Sequence, residues 1–238
     1  ANINIAYTEY SRRNLLAEGI HPSKIFVCGS PIKEVYDSIN EKIEKSNILK
    51  SLNLKKDKYI VASIHREENV DTVGGLEQMV ETYNKLADYF KCKIIVSTHP
   101  RTKIRLKKLD LINKKANNSI IWHEPFGLLD FLSLQINSLC VVSDSGTIHE
   151  DSCVLGFAAV AIRRSSEKFE CIDSGFCPFT GLDFESILPC LESSIANKKL
   201  IIDNNIPLEY LNKKASRVVT NIVLSHSKEL KKLWHSSY

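Results

Sequence analysis

The chain has 238 residues, 43% hydrophobic and 25% charged, with a formal net charge of +4 at pH 7. That balance fits a globular protein with room for a sizeable core, and no apolar run is long enough to cross a bilayer. The positive charge is dispersed in lysine pairs at 55–56, 107–108, 114–115, 198–199, 213–214 and 231–232, with no interleaved aromatic residues; these are solvated helix faces, not a nucleic-acid footprint.

In chain order, residues 3–7 read as a short strand, and Thr8 is placed to cap a helix that ends at Gly19. Residues 24–28 are a second strand. Gly29, Ser30 and Pro31 then break the chain and mark the best domain boundary. Residues 32–57 read as helical and charged. A β-rich run over 58–63 leads into a polar loop and a long helix, where Val73, Leu76, Val80, Tyr83, Ala87 and Phe90 recur at three- and four-residue spacing. Strands follow at 93–97, about 119–122, 139–142 and 158–162, separated by a basic helix after the 98–101 loop and by helices over 126–135 and over 146–155. The tail over 206–238 reads as one or two amphipathic helices with Leu208, Leu211, Ala215, Val218, Val219 and Ile222 on one face.

The seven cysteines lie mostly in apolar runs without a CxxC spacing, which fits reduced thiols in a cytoplasmic protein. Cys171 and Cys177 flank a glycine, but no neighbouring His or Cys completes a metal-ligand set. The first five residues lack the basic start and apolar core of a secretory signal, and the absence of an initiating Met suggests a start inside a longer protein.

Regular alternation of strands and helices, with strands apolar on both faces, predicts an α/β fold with a parallel sheet covered on both sides. Ligands of such sheets bind beyond the carboxyl ends of the strands. The polar loops that fall there are 65–69, 98–101, 123–126, 143–146 and 163–167, and they concentrate His, Arg, Glu and Ser. In the last strand-to-helix junction before residue 150, Ser145 and Gly146 sit where a helix begins, so its unpaired N–H groups and dipole suit an anion. Taken alone, that junction reads more simply as an ordinary capped helix. The other four loops reverse that preference.

Together these loops resemble the non-hydrolysing UDP-N-acetylglucosamine 2-epimerase family. The resemblance rests on Ser63-Ile64-His65-Arg66-Glu67-Glu68-Asn69-Val70-Asp71, on Val96-Ser97-Thr98-His99-Pro100-Arg101-Thr102, and on Ser143-Asp144-Ser145-Gly146-Thr147-Ile148-His149-Glu150-Asp151. The segment from Tyr7 through Arg13, Asn14, Leu15 and Leu16 to Gly29-Ser30-Pro31 also fits. Thr147 points to the branch of UDP-2-acetamido-2,6-dideoxy-L-talose 2-epimerases, which supply UDP-N-acetyl-L-fucosamine for surface polysaccharides such as O-antigen or capsule.

The resemblance implies a Rossmann-like parallel sheet, the C-terminal half of a GT-B-type two-domain fold. Residues 1–28 would end an N-terminal half, 29–205 would form the UDP-binding domain, and 206–238 would cross back to the N-terminal half. The implied reaction inverts C2 of a UDP-linked 2-acetamido sugar by elimination and re-addition of UDP, with no NAD and no metal. His65 would be the active-site histidine. Ser145, Gly146 and Thr147 would cradle the diphosphate, Asp151 or Glu150 would hold the ribose, Phe126 and Phe131 would contact uracil, and Arg163 would face the nucleotide. Arg66, Glu67, Asn69, His99, Arg101, Asp144, Glu167 and Glu170 are further candidates around them.

The family's acid–base carboxylates would lie upstream of Ala1, so a separate N-terminal half is a candidate partner beside the UDP-sugar and a second copy of the chain. Arg164, Lys168 and Phe169 depart from the family's pattern over 163–170. Ala158 also stands where the family commonly has Pro. A non-catalytic remnant that keeps the fold is the competing reading, and half of a GT-B glycosyltransferase is a third.

Overall fold

The computed structural model describes residues 2–163, 168–204, 206–211 and 214–235, with the backbone alone at Lys114, 199–204 and 227–235. The helices and strands, in order, are β1 (Asn4–Ala6), α1 (Glu9–Ala17), β2 (Ile25–Val27), α2 (Ile32–Glu44), α3 (Ile48–Ser51), β3 (Tyr59–Ser63), α4 (Glu67–Val70), α5 (Gly75–Phe90), β4 (Lys93–Ser97), α6 (Pro100–Leu109), α7 (Leu111–Lys114), β5 (Ile120–His123), α8 (Leu128–Ile136), β6 (Cys140–Ser143), α9 (Ile148–Leu155), β7 (Ala159–Ile162), α10 (Phe169–Asp173), β8 (Phe179–Thr180), α11 (Phe184–Asn204) and α12 (Ala215–His235). They divide into two compact units, residues 1–38 with 207–238, and Ile39–Ile206. The division falls inside α2, between Ser38 and Ile39, ten residues beyond the boundary expected after residue 28.

In the smaller unit, β1 and β2 pair in parallel, with Asn4 opposite Ile25 and Ala6 opposite Val27. Thr8 caps α1 by accepting the Ser11 N–H at 3.2 Å. The tail belongs to this unit: the Ser30 N–H donates to the Glu209 carbonyl at 3.0 Å, and the Ser216 N–H at the start of α12 donates to the Glu34 carboxylate at 3.0 Å. The inward face of α12 carries Ala215, Val218, Val219 and Ile222, followed by His226 against the Phe26 ring at 5.1 Å. Leu208 and Leu211, expected on that face, are exposed: Leu208 lies in a separate 3-10 turn, and both precede the start of α12 at Ala215.

The larger unit holds a six-stranded sheet in the order β5-β4-β3-β6-β7-β8, every pair parallel. Counted from β3, this is 3-2-1-4-5-6, the doubly wound Rossmann order. Tyr59, Ile60, Val61 and Ala62 of β3 are fully buried, as are Cys140, Val141 and Val142 of β6. A strand covered on both faces has to be apolar at successive positions, which is why these runs do not alternate. The Tyr59 phenol stays buried because it donates to the Leu134 carbonyl at 2.7 Å.

Three elements differ from the sequence reading. Val73 does not join the apolar face of α5 and is wholly exposed, because the helix begins only after Gly74, whose φ of +80° sets it off. The stretch 32–57 is broken into α2 and α3, with Asn53 and Asp57 at positive φ before β3. Residues 163–205, which carried no assigned element, contain α10, β8 and α11. β8 is only two residues long, and α11 carries Pro189 within it.

Candidate functional site

Because the strands run in parallel, the loops after β3, β4, β5, β6 and β7 all leave the same edge of the sheet. The strand order reverses between β3 and β6, and a crevice opens at such a switch point. The loop carrying His65 follows β3 and the loop carrying Ser145 follows β6, so the two flank it. The strand ends are joined there, with the Ser63 and Ser143 hydroxyls 2.6 Å apart and both side chains buried. Ser143 Oγ also accepts the Ser145 N–H at 3.0 Å, which fixes the turn into α9.

Asp144 organises the site. Its side chain is fully buried. The carboxylate accepts the His65 N–H at 2.9 Å, the Arg66 N–H at 2.8 Å and Asn69 Nδ2 at 3.1 Å, and it meets His65 Nδ1 at 2.9 Å. Burial pushes its carboxyl up. The hydrogen bond from the His65 side chain, the Arg66 N–H and the His65 charge and N–H outweigh that and hold the carboxyl below its ordinary value. Arg66 Nε donates to the Asp144 carbonyl at 2.8 Å, and Asn69 Nδ2 also reaches the Ile162 carbonyl at 3.0 Å, tying in the end of β7. The sequence ranks Asp144 only among the outlying candidates. Its neighbours in space come from a loop some 75 to 79 residues away, so no local pattern reveals its load.

The other candidates are disposed around this hub. His99 caps α6 by accepting the Arg101 N–H at 3.2 Å, and its ring lies 5.8 Å from that of His65. Arg101 pairs with Glu67 at 2.8 Å and with Asp71, which Arg105 holds from the other side at 2.9 Å. Glu67 therefore pairs with a helix in the next crossover. Thr102 fastens the same helix to the His65 loop by donating to the Ile64 carbonyl at 2.5 Å. Neither Asp71 nor Thr102 was singled out in the sequence, although Asp71 ends the first quoted motif and Thr102 the second.

Thr147 is exposed at the start of α9 and its hydroxyl donates to Asp151 Oδ2 at 2.8 Å. Glu150 and Asp151 are both buried, and Glu150 pairs with Lys168 at 3.3 Å. The two carboxylates in the first turn thus have separate partners, and Lys168, noted as a departure, is the cation that meets one of them. The Ser145 N–H is already engaged with Ser143. The Ser145 hydroxyl lies 3.2 Å from that of Thr147.

Gly146 is packed so that a Cβ would meet only Arg66 Nη2, at 3.4 Å. Phe126 precedes α8 instead of starting it, because Gly127 is the N-cap. Its ring stacks on His123 at 4.1 Å and lies parallel to Phe131 at 6.4 Å, which makes a short aromatic ladder at the strand edge. Arg163 is buried directly after β7, and Glu170 lies half-buried in the first turn of α10. Glu167, with Arg164, Ser165 and Ser166, lies outside the described residues. Among the described residues no group of three or more His, Cys, Asp or Glu is arranged to hold a metal ion, and no helix is long and apolar enough to cross a membrane.

A doubly wound parallel sheet with its polar loops gathered at the switch point defines a Rossmann-like α/β fold of the GT-B type. The chain belongs to the UDP-N-acetylglucosamine 2-epimerase family, whose model matches residues 1–224. It is 33% identical over 227 residues to the UDP-N-acetylglucosamine 2-epimerase of Methanococcus maripaludis, covering 94% of this chain and 61% of that protein. Among solved structures it is similar to the UDP-N-acetylglucosamine 2-epimerase of Rickettsia bellii, with a TM-score of 0.88 and 32% identity over 98% of this chain and 62% of that one. It is also similar to the Methanocaldococcus jannaschii UDP-GlcNAc 2-epimerase in complex with UDP-GlcNAc and UDP, with a TM-score of 0.75 and 30% identity over 93% and 61% of the two chains. This chain therefore spans about three fifths of the length of these relatives.

Proposed function

We propose that this chain is the nucleotide-binding part of a UDP-N-acetylhexosamine 2-epimerase, in the branch that inverts C2 of UDP-2-acetamido-2,6-dideoxy-L-talose for surface polysaccharide synthesis in the cytoplasm. The observation that carries the reading is the Asp144 hub, which holds the His65 loop against the start of α9 at the switch point. In the proposed reaction the C2–H and C1–O bonds break, a base takes the proton, and UDP leaves with the bonding electrons to give a 2-acetamidoglycal. UDP then returns to C1, and a proton is delivered to the opposite face of C2.

Within this chain, the start of α9, with Ser145, Gly146 and Thr147, would hold the departing diphosphate. Asp151 would hold the ribose, with Glu150 less available because Lys168 pairs with it. The Phe126 and Phe131 rings would support the uracil, and His65 would stand at the sugar–phosphate junction. The carboxylates that move the C2 proton would come from an N-terminal half outside these 238 residues, with a second copy of the chain as a further candidate partner. No NAD or metal takes part in the proposed epimerisation.

Calorimetry with UDP tests the reading. Saturable binding tighter than millimolar is expected, and a folded chain that gives no heat at millimolar UDP would sink it. Gly146→Ala sets a Cβ 3.4 Å from Arg66 Nη2, the far end of a flexible side chain that can yield. It is expected to leave thermal stability within about 1 kcal/mol of the parent and to weaken UDP at least ~10-fold, about 1.4 kcal/mol. An unchanged affinity would remove Gly146 from the site. An NMR assay of C2 epimerisation, run with and without a polypeptide supplying the N-terminal half, distinguishes the enzyme from a remnant that binds without reacting.

A further inference from the structure

The two oxygens of the Asp144 carboxylate do different work. Oδ2 accepts three donors, the His65 N–H at 2.9 Å, the Arg66 N–H at 2.8 Å and Asn69 Nδ2 at 3.1 Å. Oδ1 faces His65 Nδ1 at 2.9 Å and receives only a second, longer approach of the His65 N–H at 3.1 Å. Main-chain N–H groups can only donate, and an ionised carboxylate can only accept. At 2.9 Å a lone pair on Nδ1 would face an ionised carboxylate oxygen, so the contact between Oδ1 and the imidazole favours the proton on Nδ1. Among the described residues, the charged or titratable groups shown to meet this pair are Arg66, whose Nε is turned to the Asp144 carbonyl, His99, whose ring is 5.8 Å from that of His65 and which uses its own Nδ1 to cap α6, and the Tyr83 phenol, which burial and the Asp144 charge push up. None of these described contacts is to His65 Nδ1.

We propose that Asp144 is a positioning residue that locks neutral His65 as the Nδ1–H tautomer, so that Nε2 is the nitrogen available to take up and return a proton. The substrate side of this inference rests on the function proposed above; the tautomer does not. The lock is built from the same carboxylate that shapes the loop. The two backbone donors and Asn69 fix the plane and position of the carboxylate, and the fixed carboxylate then fixes the ring. When Nε2 gains a proton the imidazolium lies against a buried negative charge, and when it gives the proton up the ring returns to the same tautomer without rotating.

The asymmetry predicts what the isosteric Asp144→Asn does. Three donors at the Oδ2 position demand the amide oxygen there. The amide NH2 is left at the Oδ1 position, facing His65 Nδ1, where it must donate. The ring then keeps its lone pair on Nδ1 and carries its proton on Nε2, the wrong tautomer for accepting a proton there, as in a triad whose aspartate is replaced by asparagine.

The test is long-range 1H–15N correlation NMR on the full 238-residue chain with labelled imidazole nitrogens, at about pH 8.5, some two units above the ordinary histidine value of ~6.5. His65→Gln identifies which of the seven histidine patterns belongs to His65. The parent should show the protonated-nitrogen shift on Nδ1 and the lone-pair shift on Nε2, and Asp144→Asn should exchange the two. A parent ring with its proton on Nε2 overturns the proposal, and so does a folded Asp144→Asn that keeps the parent pattern. If Asp144→Asn fails to fold, the parent spectrum alone decides. Failure to bind UDP would count against the proposed function and leave this result standing, so the two failures are told apart.

Discussion

Asp144→Ala is expected to lower the stability of the larger unit by about 3–5 kcal/mol, a large share of the roughly 5–15 kcal/mol that holds a domain together. The loss is not that of a single contact. Removing the carboxylate leaves the N–H groups of His65 and Arg66 and the Asn69 amide without their acceptor, at a cost of about 1–3 kcal/mol for each that stays out of water. Urea denaturation of the parent and the variant measures it, and a difference below about 1 kcal/mol would mean that water replaces the carboxylate and that Asp144 is not the hub.

The pH dependence has a definite sign. The carboxyl is held below its ordinary value in the folded protein, so its contribution is complete above the unfolded-state value of ~3.9 and disappears as pH falls through the folded-state value. The gap between parent and variant should be widest above about pH 5 and begin to narrow only as pH falls below about 4.

Gly75→Ala is expected to be the second costly change. A Cβ on Gly75 would lie 2.3 Å from the Asn69 carbonyl oxygen and 3.3 Å from its carbon, and both atoms are backbone that cannot swing aside. Overpacking of this kind costs about 1–3 kcal/mol. The displaced Asn69 would also loosen its bonds to Asp144 and Ile162, each worth about 1 kcal/mol. A loss of about 2–4 kcal/mol is expected, together with weaker UDP binding.

Gly74→Ala is the control. Gly74 has a φ of +80° but open space around the Cβ position, so alanine there pays only the backbone strain of about 1–2 kcal/mol and should not alter UDP affinity. If both variants behave alike, the contact with Asn69 does not matter.

The alternation of apolar runs and helical spacing determines the class of fold from the sequence alone, because a strand buried on both faces has no polar positions to hide. Tyr59 to Ala62 and Cys140 to Val142 carry that signal directly. The loops after those strands were equally legible, since a parallel sheet sends every strand end to one edge. The order of the strands was not. That β3 neighbours β6, and not only β4, depends on crossovers whose lengths do not specify which side of the sheet they return to. With that adjacency come the Ser63–Ser143 contact, the Asn69 bridge and the load on Asp144, all between residues far apart in the chain.

Local cues also misled where a glycine intervened. Val73 has the right spacing for the α5 face, yet Gly74 ends the run before it. Adjacency in the chain does not show that the fold brings Arg101 to Glu67 and gives Arg66 to the Asp144 carbonyl. By itself, then, the sequence determined which residue types stand at the strand ends, because burial and backbone pairing dictate composition locally. Only the tertiary structure decided which of them touch, because hydrogen bonds and ion pairs are matters of distance, and distance across a doubly wound sheet is set by strand order.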